Sequence, residues 1–147
     1  MKQVNIFSVR RAVRMPVVDT VIIFGAADTK DKYHELGVKY LEGVNNGEYL
    51  IPSLALVEFD IILKNRGYSF AERMEKHALL LADYPYLDAN ILNFSPIVFY
   101  NLARLESEYN LDYFDAGICA QALQHDGIII TPDRKIAAVK EIKTQWE

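Results

Sequence analysis

Four acidic residues each stand at the end of an apolar run, at widely separated positions in a chain of 147 residues. Asp19 follows Met15-Pro16-Val17-Val18, Glu58 follows Leu54-Ala55-Leu56-Val57, Asp115 follows Tyr113-Phe114, and Asp133 stands just past Ile128-Ile129-Ile130-Thr131. A carboxylate placed where a buried element ends is costly unless something offsets its desolvation. Should the fold gather all of them, each close pair repels by about 4 kcal/mol at ~4 Å and an effective dielectric of ~20. Divalent cations relieve that repulsion, so these residues point to a metal-dependent acidic centre. The competing reading is that each is an ordinary cap at a strand end or helix start.

The other reactive residue types offer less. His34, His77 and His125 are scattered with no ligand spacing and read as surface or packing residues. Cys119 sits among Ala116, Ala120 and Ala122, a small-residue face suited to close packing on a sheet rather than to nucleophilic attack. Ser53 and Ser95 read as helix-start residues, not as members of a triad. The glycines form neither a P-loop nor a dinucleotide fingerprint. Asp112, one turn before Asp115, is spaced to face the same site, although the helix-cap reading is favoured, and Asp60, two residues after Glu58, points away from it on a helix.

The elements that must position the acids follow from the apolar pattern. Val17-Val18, Tyr49-Leu50-Ile51, Ile91 to Phe94 and Ile128 to Thr131 read as strands, and the alternation of Ile142, Thr144 and Trp146 suggests a fifth. Helices are expected over Val21 to Ala27, from a cap at Asp31 through Val44, from Ser53 to Leu63 with a stop at Arg66-Gly67, and from Phe70 to Asp83 behind a Ser69 cap. Further helices are expected from Pro96 to Tyr109, from an Asp112 cap through Gln124, and briefly from Arg134 to Val139. Strands alternating with helices imply a parallel sheet covered on both faces. In such open sheets ligands bind outside the carboxyl ends of the strands. Asp19 and Asp133 lie just beyond the first and fourth strands, and Glu58 and Asp115 lie near the starts of helices, so convergence at one pole is topologically natural.

Bulk properties narrow the class. The chain is 51% hydrophobic and 24% charged, ordinary globular composition for one domain. One cysteine excludes an internal disulfide. No apolar run approaches the ~20 residues of a membrane span, and the N-terminus lacks the apolar core of a secretion signal. A cytoplasmic protein without a membrane partner is the expectation. A net charge of −4 and a pI near 5.4 argue against a general nucleic-acid-coating protein. Residues 1–14 carry Lys2, Arg10, Arg11 and Arg14 and no acid, which leaves −8 on the remainder; they read as a basic N-terminal extension ahead of a domain at 15–147.

Val17-Val18-Asp19-Thr20, Ile51 to Glu58, Leu111 to Leu123 and Gly127 to Asp133, in that order and at those spacings, resemble the PIN domain family of metal-dependent ribonucleases. The resemblance implies an α/β fold, a three-layer α/β/α sandwich with a central, mostly parallel five-stranded sheet. It implies Mg²⁺ or Mn²⁺ held by Asp19, Glu58, Asp115 and Asp133, with Thr20 and Thr131 matching hydroxyl residues of the family's site. The chain departs from many relatives at Val21, Pro132 and Ile136, where they carry Asn, a polar residue and an aromatic.

The function expected is Mg²⁺- or Mn²⁺-dependent hydrolysis of RNA, leaving 5′-phosphate and 3′-hydroxyl ends as the resemblance implies. Thr20, Thr131 and, directly after Asp133, Arg134 and Lys135 are the expected substrate contacts, with Lys64 and Arg66 as further candidates. The resemblance also implies a homodimer, through the apolar residues of Phe70 to Leu81 and Phe99 to Leu105, and an antitoxin protein as partner if the chain is the toxin of a toxin–antitoxin pair. The alternative is a non-catalytic RNA-binding or protein-interaction module that keeps the fold. A phosphotransfer receiver domain is disfavoured, because it needs adjacent paired acids after the first strand.

Overall fold

The apolar runs yield strands of only two or three residues, because the chain turns into a helix as soon as polar residues arrive. In the computed structural model, which describes residues 15–146, these are β1 (Val17–Val18), β2 (Ile51–Pro52), β3 (Ile91–Leu92), β4 (Ile128–Ile130) and β5 (Lys143–Gln145). The basic segment 1–14 lies outside the described residues. The helices are α1 (Thr20–Ala27), α2 (His34–Asn45), α3 (Ser53–Asn65), α4 (Phe70–Asp83), α5 (Pro96–Tyr109), α6 (Tyr113–Leu123) and the single turn α7 (Arg134–Ala137). A 3₁₀ turn, Leu87–Asn90, leads into β3.

Local chemistry sets most boundaries. Ser69 and Glu72 form a reciprocal capping box at the start of α4, with 3.1 Å for both bonds. Pro96 occupies the first turn of α5, where its missing N–H costs nothing. Asp31 does not cap α2 as expected. Its carboxylate accepts from Tyr33 N–H (2.8 Å) in a turn, and α2 begins at His34.

All strand pairs are parallel. β1 pairs with β4 and β4 with β5, while β2 pairs with β3. The expected continuous five-stranded sheet is thus a three-stranded and a two-stranded piece, joined by one parallel bridge between Val17 and Leu50. Pro52 supplies part of the reason: it has no N–H to extend, two residues on, the bonds that Leu50 makes to the β1 side. A side chain takes over. Gln121, buried in α6, accepts from Leu54 N–H (2.9 Å) and donates to Ser53 Oγ (2.7 Å) and Leu92 O (3.0 Å). It ties the first turn of α3 to β3 where strand bonds stop.

The core runs through both pieces. α6 is buried from Ala116 to Ala122, and its small residues admit close neighbours. A side chain at Gly117 would collide with Leu54 of α3. A Cβ at Gly25 would stand 2.6 Å from Tyr33 O, so α1 and the chain entering α2 pack backbone to backbone. The apolar face expected for a dimer contact is only partly exposed. Phe70, Met74, Leu79, Leu81 and Phe99 are exposed, but Leu80, Leu102 and Leu105 belong to the core. Among the described residues, no helix is long and apolar enough to cross a membrane.

Candidate metal centre at the switch point of the sheet

From β1 the chain proceeds to β2 and β3 on one side, while β4 and β5 lie on the other. The carboxyl ends of β1 and β4 therefore flank a topological switch point, where the connections leave in opposite directions and open a crevice. Asp19 is the first residue after β1, and Thr131 the first after β4. Helices running back against parallel strands present their N-termini at the same pole. This brings Asp115, in the first turn of α6, and Glu58, in the second turn of α3, toward Asp19.

Asp19 is buried, with 7% of its surface exposed, and both its oxygens are engaged. Oδ1 accepts from Thr20 N–H (2.7 Å), and Oδ2 accepts from the Thr131 hydroxyl (2.6 Å). Thr131 Oγ1 in turn accepts from Asp133 N–H (3.1 Å). Asp133 caps α7, with Oδ1 accepting from Lys135 N–H (2.7 Å). Asp19, Thr131 and Asp133 thus form one chain of hydrogen bonds across the ends of β1 and β4.

A cavity of about 350 Å³ opens here, lined by Asp19, Thr20, Glu58 and Asp115, with Val21 and Ile62 as apolar wall. Asp133 does not line it; it stands behind Asp19 through Thr131. A larger cavity, about 700 Å³, lies off the strand ends near Val38, Lys76 and Tyr84, and holds no comparable set of acids.

The carboxylates perturb one another. Burial raises the pKa of Asp19 above the usual range, opposed by its bonds from Thr131 and Thr20 and reinforced by Asp133 and Asp112. Burial raises Glu58 as well, opposed by the nearby Thr20 hydroxyl and reinforced by Asp19 and Asp112. Asp115 is pushed up to about 8, by burial first and then by Asp112, Asp133 and Asp19. Carboxyl groups raised by burial and by one another mark a place where positive charge is missing.

Asp112 also bears on this set; the sequence placed it within reach of the site but favoured a capping role. Its Oδ1 does accept from Asp115 N–H (2.8 Å), as expected of a cap. Yet its charge also bears on Asp19, Glu58 and Asp115. The signal was the one-turn spacing from Asp115, which serves both roles at once. Cys119 is buried and its thiol pushed up to about 12, in keeping with an inert packing residue. His34 Nδ1 lies 2.8 Å from Gly25 O and His77 Nε2 lies 2.9 Å from Asp60, both structural placements. Arg134 and Lys135 are exposed on α7 and do not line the cavity.

Two observations bear on whether these residues suit Mg²⁺ or Mn²⁺. Thr20 Oγ1 is buried on the cavity wall, near enough to Glu58 to favour its carboxylate but with no hydrogen bond of good geometry, a weakly satisfied group of the kind that a bound ion's water shell can complete. The donors are all hard oxygens. Among the described residues, no three acidic, histidine or cysteine side chains are grouped so that together they could hold a metal ion. Mg²⁺ is characteristically held by one or two carboxylates with water filling its other positions, so an open set fits it better than a closed one.

Comparison with known proteins identifies the family and the fold. The PIN domain model matches residues 17–142. Among solved structures, the chain is similar to FitAcB from Neisseria gonorrhoeae, with a TM-score of 0.68 at 18% identity over 88% of this chain and 96% of that one. It is similar to VapBC2 from Rickettsia felis bound to a DNA fragment from their promoter, with a TM-score of 0.67 at 14% identity over 90% and 98%. PAE2754 from Pyrobaculum aerophilum gives 0.55 at 20% identity over 89% and 90%. No curated protein matches at a significant level.

Proposed function

The chain belongs to the PIN domain family, and from that premise we propose that it is a Mg²⁺- or Mn²⁺-dependent endoribonuclease. The observation that carries the proposal is the convergence of Asp19, Glu58 and Asp115 on one cavity, with Asp133 joined to Asp19 through Thr131. In this reading Asp19, Asp115 and Glu58 surround the principal ion, one or two of them binding it directly and the rest through its water shell, and Asp133 supports a second, looser position or orients water. When bound, the cation lowers the pKa of the attacking water and steadies charge on the leaving oxygen.

The chain's own residues supply the positioning. Thr20 N–H and the Thr131 hydroxyl fix the Asp19 carboxylate in one orientation. Asp112 locks the first turn of α6 and with it the placement of Asp115. Gln121 does the same for the first turn of α3, one turn ahead of Glu58. Val21 and Ile62 limit water on one side, which strengthens every charge interaction inside. Protons held by the raised carboxyls must leave as a cation binds, so affinity rises with pH.

The reading extends to partners. The solved neighbours include a two-component complex on promoter DNA and FitAB bound to a DNA fragment. This chain is accordingly proposed as the toxin of a toxin–antitoxin pair. Exposed Phe94, Phe99 and Tyr100 offer an apolar surface for a second copy; light scattering that gives a monomer at micromolar concentration refutes the dimer.

The test of the chemistry is purified protein with end-labelled single-stranded RNA and Mn²⁺ or Mg²⁺. Cleavage giving 5′-phosphate products, lost in EDTA and in D19N and D115N, is the expected result. Cleavage that survives either treatment sinks the metal mechanism. Wild-type protein that binds no Mn²⁺ by calorimetry and leaves RNA intact favours the non-catalytic module instead.

A further inference from the structure

The cavity that gathers the carboxylates also carries positive charge. Lys32 and Arg66 line it, from different elements: Lys32 from the turn before α2, and Arg66 from the C-cap of α3. Each cation lies over an aromatic face. The Arg66 guanidinium carbon is 4.9 Å from the centroid of Phe24, and Lys32 Nζ is 4.8 Å from that of Tyr33. The supporting rings are themselves braced. Phe24 meets Phe59 edge-on at 4.8 Å, and Tyr33 meets Trp146 edge-on at 5.1 Å.

Neither cation forms an ion pair among the described residues. This holds although Asp31 lines the same mouth, where its Oδ1 takes the Tyr33 N–H at 2.8 Å. Arg73 and Arg104, by contrast, are both spent on carboxylates. Two cations left unpaired at the rim of the most acidic crevice, each preset by an aromatic ring, have lost part of their side-chain freedom in advance. An approaching polyanion meets repulsion from the carboxylates and needs an offset at the rim. A guanidinium presents paired donors that match phosphate geometry, and an ammonium acts as a point charge.

We propose that Arg66 and Lys32 form a phosphate clamp that holds the RNA backbone at the mouth of the carboxylate cavity, beside the phosphodiester to be cut. The clamp rests on the nuclease reading and goes further, by assigning the strand's path to the α1–α3 side of the cavity. Arg134 and Lys135, adjacent to Asp133 in sequence, do not line this cavity. Neither does Lys64, which shares the last turn of α3 with the residues leading to Arg66.

The experiment measures binding of a short labelled single-stranded RNA by fluorescence anisotropy across a salt titration, with Ca²⁺ as the divalent ion, beside Mn²⁺-dependent cleavage of the same RNA. R66Q is expected to weaken binding about tenfold and to flatten the slope of log affinity against log salt by about 0.7. K32Q should act in the same direction. R66K keeps the charge and a stem over Phe24, and should recover much of the loss, which separates charge from packing. K39Q removes a cation that also lies on a ring, 5.2 Å from Tyr40, but away from the cavity, and should leave affinity and slope unchanged. If wild-type protein cuts the RNA while R66Q and K32Q bind it with wild-type affinity and slope, the clamp is overturned and the nuclease reading stands. If wild-type protein neither binds nor cuts, both fall.

Discussion

Glu58 and Asp60 are two residues apart on the same helix, and their carboxyls meet opposite fates. Glu58 faces the cavity, where burial and the charges of Asp19 and Asp112 raise its pKa. Asp60 faces α4, where Arg73 donates from Nη2 at 2.6 Å and from Nε at 3.2 Å, and His77 stands 2.9 Å away. Those partners, Arg73 first, hold Asp60 at about 2. The second cluster is electrostatically complete: each charge has its counter-charge inside the protein, and the product is a tie between α3 and α4. The first cluster is incomplete by the same measure, with acids that bear on one another and, among the described residues, no cation paired to them. Two carboxyls on one helix are thus shifted in opposite directions, Asp60 by its cationic partners and Glu58 by burial and like charge.

The largest test of that contrast is catalytic. D19N and D115N should each lower Mn²⁺-dependent RNA cleavage by more than about 100-fold, beyond what outer-shell partners of a metal typically contribute. D60N should leave the rate within about twofold. Equal losses in all three would erase the distinction between the two regions.

A second test reads stability without activity. Asp115 sits near 8 in the folded, metal-free protein, against about 3.9 unfolded. The folded state thus binds the extra proton between those values, and stability falls as pH rises from about 4 to 8. Thermal unfolding in EDTA should show that decline, and Mg²⁺ or Mn²⁺ should reverse it near pH 8. D115N should unfold higher than wild type in EDTA at pH 8, by a few degrees at about 2–4 °C per kcal/mol. A metal-free protein whose melting temperature rises steadily across this window contradicts the site's electrostatics.

D112N sharpens the assignment of Asp112. Asn caps a helix about as well as Asp, so folding should be preserved. Removing the charge should raise the Mn²⁺ concentration needed for half-maximal cleavage by about tenfold, within the range for residues that act on ligands from outside. An unchanged requirement would return Asp112 to capping alone.

The smallest expected effect is on the complete cluster. Asp60 is about a third exposed, so solvent screens it, and D60N should cost no more than about 1 kcal/mol in a urea titration at neutral pH. Its folded pKa is lowered, so its contribution is present above about 4 and is lost as pH falls toward 2. The two regions therefore predict opposite pH slopes in separate windows.

Much of the architecture was legible in the chain because it is local. Ser69 with Glu72, Pro96 after Ser95, and the run Ile128-Ile129-Ile130 each declare an element through a few neighbouring residues, and the helices and strands stand where those signals put them. The continuous sheet was not legible in the same way. Whether β2 completes its pairing depends on Pro52 meeting β1, and on Gln121 arriving from 67 residues away to bond Leu54 N–H. An isolated glutamine in an apolar helix carries no sign of the backbone it will meet.

The same division runs through the site. By itself the sequence determined which acids close apolar runs, and parallel α/β connectivity sends strand ends and helix starts to one pole. It therefore determined that Asp19, Glu58, Asp115 and Asp133 would lie near the same end of the molecule. Only the tertiary structure decided that Asp133 stands behind Asp19, that Asp112 shares the field, and that Lys32 joins Arg66 at the cavity while Lys64, Arg134 and Lys135 do not line it. The reason is range: propensity and periodicity act over one or two turns, whereas burial, Coulomb interaction and aromatic support depend on which distant side chains the fold brings within a few ångströms.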